Sequence, residues 1–135
     1  MRNICLGAML AGLALSGCGS KESLREDVVS CSAYLNALNV EIMRGNQAFL
    51  GRVMERLVKT DAADADEQRS ILGRKLADLG AGAARYRSDL DPARLSVIVE
   101  KERKTAQDQV SQGRDAQAAS RIKDCVSTWE RLGKS

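Results

Sequence analysis

The chain contains no histidine, a single proline and almost no aromatic side chains: Trp129, Phe49, Tyr34 and Tyr86 complete the set. Without histidine, a Cys/His metal centre and a Cys–His nucleophile are disfavoured, and acid–base work would fall to carboxylates, lysine or tyrosine. No phosphate-cradling glycine pattern occurs, because Gly80-Ala81-Gly82-Ala83-Ala84 lies inside an apolar helical pattern. No pair of carboxylates converges in the pattern either, so neither an enzyme nor a cofactor is expected. Charge of one sign is lacking too. The 21 basic and 18 acidic residues are interspersed and leave a formal +3, which is no footprint for nucleic acid. With Pro92 as the only proline, and alanine, leucine and arginine dominant, composition favours long helices over sheets. The length suits one domain with a modest core.

Long hydrophobic runs are scarce as well. The one of note, Ile4 to Leu15, follows Arg2 and extends about a dozen residues, the length of a secretory signal and too short for a bilayer span. It ends in Leu15-Ser16-Gly17-Cys18, with a polar stretch, Gly19 to Ser23, beyond. This arrangement resembles the lipobox of bacterial lipoproteins: an aliphatic residue, two small residues and an invariant cysteine. The resemblance covers about the first eighteen residues. It implies that the Cys18 thiol accepts a diacylglyceryl group, that signal peptidase II cleaves before Cys18, and that the new amine is acylated, palmitate being one such chain. Thiol chemistry explains the cysteine, since the thiolate is the nucleophile that takes the lipid. Two or three acyl chains hold a protein at a membrane stably, whereas one does not. The resemblance further places Gly19 where aspartate would retain the protein at the inner membrane. An outer-membrane anchor facing the periplasm is therefore expected, with the inner membrane the alternative. The divisions that follow are a signal peptide over 1–17, the lipidated cysteine and tether over 18–23, and a helical domain over 24–135.

On that reading Cys5 leaves with the signal and Cys18 is consumed by lipid. Cys31 and Cys125 remain, in a compartment that permits disulfides. They form a bridge closing a loop of roughly ninety residues, or else two separately buried thiols.

Apolar periodicity organises the rest. Ser23 and Glu26 have capping-box spacing, and Leu24, Val28, Cys31, Leu35, Leu38 and Ile42 then follow a 4-3-4-3-4 seam. Gly45 to Gly51 allow a bend before Val53 and Leu57. Asp61, Asp64 and Asp66 lack the spacing of a calcium loop and suit the start of a second helix. That helix carries Leu72, Leu76, Leu79, Ala83, Tyr86 and Leu90, with Gly80 and Gly82 permitting close approach of a neighbour. Asp91 and Pro92 open a third, with a weak seam of Leu95, Val99, Ala106 and Val110 interrupted by Glu102 and Arg103. Ala118, Ile122, Cys125, Trp129 and Leu132 mark a fourth, and one kinked helix from Pro92 to Leu132 is the alternative. An antiparallel four-helix bundle returns Cys31 and Cys125 to the same end, where a bridge can close.

Glu100-Lys101-Glu102-Arg103-Lys104 reads as a solvated helix surface with contacts three and four residues apart. Tyr34 and Trp129 are either core packing or contacts in an inter-helix pocket for a ligand or partner. Together these features predict a non-enzymatic helical adaptor, tethered to a membrane through Cys18, for an envelope, secretion or conjugation protein. A small-molecule or lipid-binding bundle is the second reading.

Overall fold

The computed structural model describes residues 21–59 and 61–134. Cys5, the Leu15–Cys18 motif and Gly19 lie outside the described residues. Five helices follow one another: α1 (Lys21–Met43), α2 (Gln47–Leu57), α3 (Ala65–Arg87), α4 (Pro92–Ser111) and α5 (Asp115–Lys134). No strand occurs among the described residues. The all-α expectation holds, but the count of four helices does not.

The fifth helix arises at Gly45, whose φ of 108° lies in the region that favours glycine. There the Gly45 and Asn46 amides both donate to the Ile42 carbonyl, at 3.1 and 3.0 Å. The Asn46 side-chain amide donates to the Glu41 carbonyl at 2.8 Å. These bonds satisfy the end of α1 and release α2 as a separate element. It packs on α5, where the Arg56 guanidinium meets Asp115 at 2.6 Å. That hydrogen bond holds the Asp115 carboxyl below its ordinary range. A second glycine separates α4 from α5. Gly113, at φ 65°, forms a Schellman motif: the Arg114 amide donates to the Gln109 carbonyl at 2.8 Å and the Gly113 amide to that of Val110 at 3.3 Å. Pro92 to Leu132 is thus two helices.

Other boundaries differ from expectation. Helix α1 already includes Lys21 to Ser23, so Ser23 lies inside the helix rather than at its N-cap. Lys21 and Glu22 are good helix formers, and no breaker lies between Lys21 and Leu24. Asp91 stands before Pro92 without a side-chain cap bond, leaving the fixed proline φ to start α4. Asp64 instead accepts from the Gln68 side chain at 2.8 Å, while Asp66 and Glu67 occupy the first turn of α3, where the helix dipole favours them.

Helix α1 is central, with α3, α4 and α5 packed around it. Arg25 lies over the Tyr86 ring and Asp27 pairs with Arg131, so α3 and α5 run opposite to α1. Glu26 pairs with Arg94, and Tyr34 reaches Gln109, so α4 runs parallel to it. The expected α1 seam is buried except for half-buried Leu35. However, Val29, Ser32, Ala33 and Tyr34 are buried as well. Between residues 28 and 34 the helix therefore has almost no solvent face, as a surrounded helix must. Close approach is visible at Gly82, where a Cβ would come within 3.0 Å of Leu132 Cδ2. Gly80 meets no such neighbour.

The Cys31 and Cys125 sulfurs lie at disulfide distance, with Cα atoms 5.6 Å apart and a sequence separation of 94. A bond closing so long a loop restricts the unfolded chain by about 4 kcal/mol in the chain-entropy account. Mass spectrometry of unreduced peptides is expected to link Cys31 with Cys125. The double variant Cys31→Ala/Cys125→Ala is expected to lose about 3–4 kcal/mol of unfolding free energy in urea melts. Free thiols at both positions in protein from an oxidising compartment would refute the pairing.

Candidate functional site

Helix α4 points polar groups inward. Its buried residues are Ile98, Glu102, Ala106 and Gln109, spaced 4-4-3, so Glu102 does not belong to a solvated surface. Val99, expected on the seam, is 38% exposed, whereas Glu102 is 6% exposed. The reason is a partner on α5. Arg121 places Nη2 3.1 Å from Glu102 Oε1 and Nη1 3.4 Å from Cys31 Sγ. The same guanidinium lies 5.5 Å from the centre of the Tyr34 ring, a favourable cation–π position. The Tyr34 hydroxyl donates to Gln109 Oε1 at 2.5 Å. One polar brace thus joins α1, α4 and α5 beside the cysteine pair.

The brace satisfies a strict requirement. A buried carboxylate is tolerated only when paired and hydrogen-bonded, and a buried hydroxyl needs an acceptor. Burial pushes the Tyr34 phenol above its ordinary value; the positive Arg121 opposes this and the negative Glu102 adds to it. Tyr34 is fully buried, so it is a core donor rather than a ligand contact at the surface.

Trp129 is half-buried in a different cluster, packed with Leu24, Val28, Cys31, Leu79, Ala83 and Cys125. The structure therefore separates the two aromatic candidates. Lys75 of α3 sits 5.2 Å from the centre of the Trp129 ring. That lysine also lines a groove of about 300 Å3 where the end of α2 meets α3 and α5. Leu57, Val58, Ile71, Leu72 and Val126 give the groove apolar walls, and Lys123 faces it from α5. No carboxylate is among its lining residues.

A second groove, of about 280 Å3, runs between α1 and α4. Ala33, Ala37, Val40 and Val99 line it, with the guanidinium groups of Arg44, Arg87 and Arg103. Val40 is 47% exposed. The Arg87 Nε is buried without a hydrogen-bond partner among the described residues. Among those residues no group of three or more cysteine, aspartate or glutamate side chains is placed to hold a metal ion.

Sequence reasoning missed Gln109 and Arg121, and misplaced Glu102. The signal was the spacing of Ile98, Glu102, Ala106 and Gln109, which is that of an inward helix face with polar members. The lysine pair carried no local signal, since Lys75 and Lys123 meet only through tertiary packing. Comparison with known proteins returns no matching family, no matching curated protein and no matching solved structure.

Two outcomes follow from the brace. Glu102→Leu strands the Arg121 charge and is expected to cost roughly 2–4 kcal/mol, while Glu102→Leu/Arg121→Met stays within about 1 kcal/mol of the parent; urea melts of the four-membered cycle measure both. For Tyr34, the unfolded phenol ionises near pH 10 while the folded one stays protonated. Its contribution is complete below about pH 10 and declines above it by up to about 1.4 kcal/mol per pH unit, until the folded phenol ionises too. Urea melts from about pH 9 to about pH 11 should therefore show a shallower decline for Tyr34→Phe than for the parent.

Proposed function

We propose that this chain is a lipid-anchored, non-enzymatic helical adaptor of the bacterial envelope. The observation that carries the reading is Leu15-Ser16-Gly17-Cys18 at the end of a short apolar run. In this reading Cys18 becomes the acylated first residue, anchored in the outer membrane with the bundle facing the periplasm. A cysteine pair at disulfide distance suits that oxidising compartment. No helix among the described residues is long and apolar enough to cross a membrane.

Spacing makes the tether short. Helix α1 includes Lys21, three residues beyond Cys18, and three residues reach at most about 10 Å. The first turn of α1 then lies near the headgroups, beside the Arg25–Tyr86 contact. The α1–α4 groove opens along the bundle instead. Its exposed Val40 and Val99, with an Arg87 whose Nε has no hydrogen-bond partner among the described residues, suit an acidic segment of an envelope, secretion or conjugation protein. Arg44 and Arg103 are paired with Glu41 and Glu100. Function would be tethering: the anchor raises the local concentration at the membrane, and the groove selects the partner.

Replacing Cys18 is the direct test. Cys18→Ala is expected to abolish metabolic labelling with a fatty acid and to lose membrane fractionation, while circular dichroism of the purified protein stays helical. A Cys18→Ala chain that still takes label, or a parent chain that takes none, would sink this reading.

A further inference from the structure

We infer that the groove between α2, α3 and α5 binds the anionic head and first methylenes of a long-chain fatty carboxylate. The lining combines two chemistries. Leu57, Val58, Ile71, Leu72 and Val126 form apolar walls, and Lys75 and Lys123 bring ammonium groups from helices on either side. All the charge lining the groove is of one sign, because no acid is among the lining residues. An occupant with an apolar tail and a single negative head satisfies both. A cationic amphiphile leaves the lysines without a counter-charge.

Size decides between an amphiphile and a protein segment. A groove of about 300 Å3 lies at the lower end of small-molecule sites, whereas a stable protein interface buries about 800 Å2 on each side. The apolar walls are half-buried at Leu57, Ile71, Leu72 and Val126, so the tail would cover apolar surface that the fold leaves partly wet. Each methylene it buries is removed from water, which favours binding. The head has a built-in reporter. Lys75 lies over the indole of Trp129, the only tryptophan, and a carboxylate drawn to Lys75 alters the charge against that ring. This inference does not rest on the Cys18 anchor or on the adaptor reading.

The test uses the full chain as isolated from cells. A photoreactive long-chain fatty carboxylate is added, and adducts are mapped by mass spectrometry while Trp129 emission is followed. Adducts are expected on the peptides holding Ile71, Leu72 and Val126, with a saturable change in emission. Lys75→Gln and Lys123→Gln are each expected to weaken labelling about three- to fivefold, the effect of one exposed ion pair. Val40→Asp, in the other groove, is expected to leave it unchanged. The same probe with a trimethylammonium head is expected to label these peptides far less. Equal labelling by both heads, lysine variants that label like the parent, or adducts confined to other peptides would each overturn the assignment.

Discussion

The burial of α1 around its circumference is the constraint from which the rest of the structure follows. A helix uses its own backbone hydrogen bonds, so its demand on the surroundings comes from side chains alone. From Val28 to Tyr34 those side chains point inward in nearly every direction, and three neighbours are needed to cover them. The buried set around α1 mixes Leu79, Ile98 and Ile122 with many small residues: Gly82, Ala83, Ala106, Ala118 and Ala119. Small residues bring helix axes together, but each removes little apolar area from water. With so few aromatic side chains, packing alone gives a modest core. The cysteine pair supplements it by constraining the unfolded chain rather than by adding contact area.

The polar brace contributes in another way. An alanine-rich interface tolerates sliding, because one small residue resembles the next along the seam. Glu102 removes that freedom. Moving α4 by one turn against α5 would take its carboxylate away from Arg121 and leave a buried charge without its partner, a cost of several kcal/mol. The Tyr34 hydroxyl and Gln109 fix α4 against α1 in the same manner. The brace therefore defines register, while apolar burial supplies most of the driving force. The two roles belong to different residues, and a substitution that keeps volume but removes polarity separates them.

The legible part of the fold was the part written in apolar periodicity. The seams of α1, α3 and α5 stood out, and so did the positions that bring Cys31 and Cys125 onto facing helices. Three things were obscured, each for a physical reason. Glu102 and Gln109 look solvated, because a buried charge is recognisable only through its partner on another helix. Ser23 and Asp91 look like caps, because a capping residue type reveals neither where the helix starts nor whether its side chain makes the capping bond. Val29, Ser32 and Ala33 look like the outer face of α1, because one seam does not disclose that a helix is surrounded. The candidate grooves were less legible still, since each combines residues from different helices.

The break at Gly45 shows how a single backbone position links fold to surface chemistry. Had α1 continued straight, Leu57 and Val58 would have extended beyond the bundle. The turn instead directs α2 across α5, where Arg56 meets Asp115 and Leu57 comes beside Leu72 and Val126. The α2–α5 groove is thus a product of that turn. Its charge follows from where the acids go: Glu26, Asp27 and Asp115 are engaged in bridges between helices. Exposed bridges of this kind add little stability, about 0–1 kcal/mol each. Their larger consequence is positional, because carboxylates held at helix junctions are absent from the groove that Lys75 and Lys123 line. A chain carrying only a small net charge thus presents a recess lined by two lysines and no acid.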